Sequence, residues 1–120
     1  MISLLRVILL LMVVSGVQAG GLLSRSDYSN LYQANFSYLI TSRACNLNES
    51  SMQSSASLNK LIAYGYKHNL HSDETLRTSQ NIELYVRAGI DAYWRTAKVP
   101  CGEVPRYVNI IAQSVSRLDQ

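Results

Sequence analysis

Apolar residues recur at three- and four-residue steps in four stretches of the chain, and no stretch shows the alternation of a half-buried strand. The first predicts a helix from about Ser26 to Arg43. Tyr28, Leu31, Tyr32, Phe36 and Leu39 share one face, and Ser24-x-x-Asp27 supplies a capping box. This helix stops near Ala44-Cys45, and Asn46, Asn48, Glu49 and Ser50 form a polar connection. The second runs from about Ser51 to His68. Its Ser-rich start (Ser51, Ser54, Ser55, Ser57) reads equally as a flexible loop. The apolar face sharpens through Leu58, Leu61, Ile62, Gly65 and Tyr66, with Ala56 and Gly65 leaving room for a close neighbour. Asn69 and His71 end it.

The third helix is predicted from about Asp73 to Ala97. Ser72 is its N-cap, and Asp73 and Glu74 sit at the positive end of the helix dipole. Ile82, Tyr85, Val86, Gly89, Ala92 and Tyr93 form its stripe, and Thr78-Ser79-Gln80 marks a point for a break or kink. Val99-Pro100 ends it, because the residue before proline is pushed out of helical dihedrals. The fourth runs from about Glu103 to Leu118 with Pro105 in its first turn, where the missing N–H costs nothing. Val104, Tyr107, Val108, Ile111, Val115 and Leu118 are the clearest apolar stripe of the sequence. Short connections make neighbouring helices antiparallel, so the expected fold class is all-α, a small antiparallel four-helix bundle.

The residues before the first helix follow a different pattern. Arg6 precedes an unbroken apolar run from Val7 to Val14, and Val17-Gln18-Ala19 places small residues at the −3 and −1 positions of a cleavage site. The run is too short to cross a hydrocarbon layer of ~30 Å comfortably, and the whole reads as a secretory signal peptide over 1–19, cleaved after Ala19. A lipid anchor needs Cys as the first mature residue, and Gly20 stands there. Removing 19 of the 120 residues leaves 101, the length of one domain over 20–120. The 48% hydrophobic content of the full chain is thus inflated by the leader. Taking Arg6 from the eleven basic residues leaves ten against eight acidic, a net charge of +2. The signs are interspersed, which gives no basic stripe for nucleic acid.

Export makes Cys45 and Cys101 informative, because they are the only thiols. In an oxidising compartment an even count in a small domain implies a disulfide, and two cysteines allow one intramolecular pairing. In an up-down-up-down bundle the first helix ends at the pole where the last begins. Cys45 follows the first helix and Cys101 precedes the last, so a bridge staples the two ends without distorting the layout. No C-x-x-C spacing supports a catalytic or metal-binding pair.

Candidate chemistry is sparse. His68 and His71 form an H-x-x-H that would need a third ligand such as Asp73 or Glu74, and they read as solvent-exposed loop histidines rather than metal ligands. There is no G-x-S-x-G elbow, no Gly-rich phosphate loop and no paired carboxylates, so the chain is read as a non-enzyme without cofactor or metal. Asn35-Phe36-Ser37 and Asn48-Glu49-Ser50 match the N-glycosylation pattern, which matters only in a eukaryotic source. Tyr64 and Tyr66 flank Gly65, while Tyr85, Tyr93 and Tyr107 fall on or near the predicted core faces. The same residue types fill a core edge or line a groove for a partner helix, and periodicity does not separate the two.

The matching elements are Tyr38-Leu39 ahead of Cys45, the stretch from Leu61 to Leu70 (LIAYGYKHNL), Leu84-Tyr85, and Cys101 opening the last helix. In this the chain resembles the PulS/OutS-type secretin pilotins of type II secretion, in particular their unlipidated periplasmic YacC-like relatives. The likeness covers nearly all of residues 20–120 and is carried by spacing more than by identity. It implies an all-helical, disulfide-bearing periplasmic protein that binds a helix at the C-terminal end of an outer-membrane secretin. The lipid-bearing cysteine of the lipidated members is missing here, so helix binding is expected without lipid-borne carriage. The expected mechanism is an apolar groove between helices, near Leu61, Tyr64, Tyr85 and Val86, that accepts an amphipathic partner helix. A second class fits the same features: a periplasmic immunity protein that inhibits a cell-wall-degrading toxin.

Overall fold

The computed structural model describes residues 22–96 and 100–118; the predicted signal peptide and its cleavage site lie outside the described residues. Those residues form five α-helices, no strand and one short 3-10 turn: α1 (Arg25–Ala44), α2 (Asn48–Lys67), α3 (Asp73–Ser79), α4 (Ile82–Thr96), the turn Cys101–Glu103 and α5 (Val104–Ser116).

Helix α1 starts where the Ser24 hydroxyl accepts the Asp27 N–H at 3.0 Å. It ends at Asn46, which takes a left-handed φ of 57°. Leu47 N–H then reaches back to the Ser42 carbonyl at 2.9 Å, and Asn46 N–H to Arg43 at 3.1 Å. Helix α2 ends the same way. Asn69 has φ 54°, Leu70 N–H bonds the Gly65 carbonyl at 2.9 Å, and Asn69 N–H bonds Tyr66 at 3.4 Å. An Asn-Leu pair thus closes both long helices: Asn tolerates the left-handed turn, and the Leu behind it is half-buried against the core.

The Ser-rich start of α2 is helix rather than loop, and it begins at Asn48, three residues earlier than predicted. Ser50, Ser54 and Ser57 are spaced by four and three residues and are all buried. They face α1, where Asn35 is also fully buried. With its amide oriented by these neighbours, Asn35 donates to the Ser54 carbonyl at 3.2 Å and accepts from Ser57 Oγ at 2.9 Å and Leu58 N–H at 3.1 Å. Small hydroxyl residues let the two helices approach closely, and the one large polar group in the seam is satisfied. The same burial closes the Asn35 acceptor pattern in the folded chain, while Asn48 is exposed.

The third predicted helix is two. Thr78 Oγ1 donates to the Glu74 carbonyl at 3.0 Å, Ser79 Oγ to Leu76 at 2.9 Å, and Asn81 Nδ2 to Arg77 at 3.1 Å. These short polar side chains bond carbonyls of the last turn, Asn81 N–H bonds the Thr78 carbonyl instead of that of Arg77, and the chain turns at Gln80-Asn81. The four-helix expectation is corrected accordingly. Helices α1, α2 and α5 pack on one another as a three-helix core, and α4 packs chiefly on α1, with lesser contact to α3.

Helix α5 buries Val104, Tyr107, Val108, Ile111 and Val115 as predicted, with Leu118 half-buried beyond its end. Cys45 and Cys101 are bonded, with Cα atoms 5.8 Å apart, joining the end of α1 to the turn that opens α5. No helix among the described residues is long and apolar enough to cross a membrane.

Candidate functional site

Helix α1 is the hub, and its faces are assigned to different neighbours. Tyr28 and Asn35 face α2, through the Leu61 carbonyl and Ser57. Tyr38 meets Tyr107 of α5 with ring centroids 5.7 Å apart. The remaining stripe is Tyr32, Phe36, Ile40 and Arg43, one face by helical spacing. It is covered by α3 and α4. The Tyr32 hydroxyl sits 2.7 Å from Thr78 Oγ1 and 3.3 Å from the Thr75 carbonyl. Gly89 lies so close to Ile40 that a Cβ there would press on the Ile40 side chain. Arg43 closes the stripe with a 2.8 Å ion pair to Glu83, and its Nε donates to Ser51 Oγ of α2 at 3.2 Å.

Helix α4 packs chiefly on α1. Val86 is 1% exposed, while Leu84 on the opposite face is 64% exposed. Ile82, Tyr85, Gly89 and Ile90 are half-buried between the two. The hydrogen bond from Arg43, and then its positive charge, hold the Glu83 carboxyl below its ordinary range. Because that pair is largely exposed, it positions α4 more than it stabilises the fold.

The structure does not bring the four predicted groove residues together. Leu61 and Tyr64 are core side chains of α2, 0% and 4% exposed. The Tyr64 hydroxyl accepts the Leu23 N–H at 3.1 Å and so pins the segment entering α1. Tyr85 and Val86 belong to α4, where Val86 is also buried in the core and Tyr85 alone reaches the surface. Helices α2 and α4 each pack on α1 and scarcely on each other, so α1 stands between the two pairs. Helix α4 borders both the α1 stripe and solvent.

A second cluster lies at the corner between α2 and α3. His71 is half-buried rather than a free loop histidine, which corrects the expectation for it. Its Nδ1 is 2.9 Å from Thr75 Oγ1, and its Nε2 is 3.1 Å from the Ile62 carbonyl and 3.4 Å from the Tyr28 hydroxyl. The Tyr28 proton is committed to the Leu61 carbonyl at 3.0 Å, so Nε2–H donates to Ile62 and Nδ1 accepts from Thr75. The Tyr66 ring lies 4.5 Å from the His71 ring, and His68 lies 4.5 Å from Tyr64. A Cβ at Gly65 would collide with the Tyr28 hydroxyl and ring. This cluster is a fastening: it ties α1, α2 and the capping box of α3, in which Ser72 N–H donates to Thr75 Oγ1 at 2.8 Å and Thr75 N–H to Ser72 Oγ at 3.1 Å. Burial raises the Tyr28 and Tyr32 hydroxyls above the ordinary tyrosine value, and pushes Tyr38 up to about 12.

Among the described residues, no group of three or more His, Cys, Asp and Glu side chains could hold a metal ion. No protein-family model, curated protein or solved structure matches this chain.

Proposed function

We propose that the chain is an exported, periplasmic helix-binding protein of pilotin type, which receives an amphipathic helix from a secretin or another outer-membrane protein. The single observation that carries this reading is the amphipathic face of α4. The helix packs chiefly on α1, with Leu84 open to solvent and Tyr85 half-buried beside it. Recognition of an amphipathic helix uses such a surface, reading apolar side chains at three- and four-residue spacing. The leader pattern of residues 1–19 and the Cys45–Cys101 bond support an exported, oxidised protein. The pilotin resemblance supplies the class of partner. Without a lipid-bearing cysteine the role is helix binding rather than membrane delivery.

The test is titration calorimetry of the oxidised protein against peptides from secretin C-terminal ends. The expected result is binding with a Kd of about tens of micromolar, in the range of a small interface. It should weaken in Leu84→Asp and Tyr85→Ala while the fold persists. No heat at those concentrations would sink the reading.

A further inference from the structure

We propose that the outer face of α2 is a self-association surface, on which a second copy of the chain docks its own α2 antiparallel to form a two-fold dimer. This face is separate from the α4 surface of the partner-helix reading and does not depend on it. Met52, Ala56, Asn59, Ala63 and Tyr66 recur at steps of four, three, four and three residues, and all five are exposed. That is the spacing of a helix–helix seam. It lies opposite the face of Ser54, Leu58 and Leu61 that α2 buries against α1 and α5. Met52 is 73% exposed and Tyr66 54%, one at each end of the seam. The two alanines between them leave room for the backbone of a second helix to come close.

The seam is its own complement. Asn59 stands seven residues from Met52 and seven from Tyr66, with Ala56 three before it and Ala63 four after it. Turned end for end about Asn59, Met52 of one copy meets Tyr66 of the other and Ala56 meets Ala63, which is the self-matching a two-fold interface requires. The two Asn59 amides meet on the axis, where each can donate to the other's carbonyl, and a single polar residue in such a seam fixes its register. Charge sets the direction. Glu49 and Lys67 are both exposed and stand 18 residues, or about five turns, apart on one flank of the seam. Antiparallel docking lays Glu49 of each copy beside Lys67 of the other. Parallel docking would set Glu49 on Glu49 and Lys67 on Lys67, and like charges at a seam's flanks select against that orientation.

Sedimentation equilibrium of the disulfide-intact chain is the test. One helix pair makes an interface of the smallest class, so the expected result is a monomer–dimer equilibrium with a Kd on the order of 100 micromolar. A chain that stays monomeric up to about 1 millimolar overturns the proposal. Ala63→Glu sets an uncompensated charge in the seam and should weaken the dimer at least about tenfold, with the helical circular dichroism unchanged. Leu84→Asp, on the α4 face, should leave the Kd as it was. A dimer that survives Ala63→Glu, or that Leu84→Asp breaks, overturns the assignment to α2. Glu49→Lys should weaken the dimer about tenfold, and adding Lys67→Glu to it should bring the Kd back to within about threefold of wild type. Failure of the second substitution to restore association overturns the antiparallel pairing.

Discussion

The disulfide-linked core of α1, α2 and α5 and the appended pair α3–α4 are built on different terms. In the core, helix faces interlock on several sides. Leu31, Leu39, Leu58, Leu61, Val108 and Ile111 are all essentially inaccessible, and a covalent bond joins the two ends. The α3–α4 pair adds Val86 and Thr75 to the buried set, packs Ile82, Tyr85 and Ile90 partly against the core, and is fastened by Tyr32 to Thr78 and Arg43 to Glu83. The buried apolar side chains are therefore concentrated in three helices, while α4 buries Val86 fully and leaves Leu84 open. A domain of this size with a modest core can combine a rigid scaffold and an adaptable face only by such a division.

The largest expected effect sharpens that contrast. Cys45→Ser with Cys101→Ser releases a loop of 56 residues, and loop-closure entropy predicts a loss of about 4 kcal/mol in urea unfolding. A loss below ~1 kcal/mol would mean that the core does not depend on the bridge. Next, Leu39→Ala should cost about 3 kcal/mol of global stability. Val86→Ala should cost about 1.5 kcal/mol, expressed as faster exchange in α4 rather than as an earlier global transition. If both shift the global midpoint equally, the two regions are one cooperative unit.

Alkaline titration comes third. In the folded chain Tyr38 ionises near 12 instead of 10.0 because it is buried. Between those values the unfolded chain has lost a proton that the folded chain keeps. The stabilisation is complete below about pH 10 and declines as pH rises toward 12, by about 1 kcal/mol per pH unit for each such tyrosine. Tyr38→Phe should flatten that decline, as read by denaturant midpoints across the range. The smallest effect is Glu83→Gln, expected to change global stability by about 0.5 kcal/mol or less because the ion pair is exposed. The contribution of Glu83 is present at neutral pH and is lost as pH falls through its lowered folded value, so wild type and variant should converge in acid.

The legible parts of the fold were those in which one residue type answers one local question. The α5 stripe, the Ser72 cap, the weak point at Thr78-Ser79-Gln80 and the pairing of two lone cysteines all read directly from the chain. Periodicity assigned Leu61, Tyr85 and Val86 to apolar faces, and Leu61 and Val86 are buried there, as is Tyr64, which lay off the predicted stripe. It gave no information on which face meets which, and α1 separates the pairs. The Ser-rich start of α2 was obscure because serine reads as loop, although the four-and-three spacing of Ser50, Ser54 and Ser57 already fits a helix face. The role of His71 was invisible. Its partners are the Ile62 carbonyl and side chains up to 43 residues away, which only the folded corner assembles.

The Cys45–Cys101 bond also closes a covalent ring that contains α2, α3 and α4. A helix inside that ring is tethered at both ends, so any local opening of α3 or α4 leaves it near α1 at an effective concentration on the order of millimolar. The bridge that joins the two ends of the scaffold thereby also keeps the enclosed helices close to their seats.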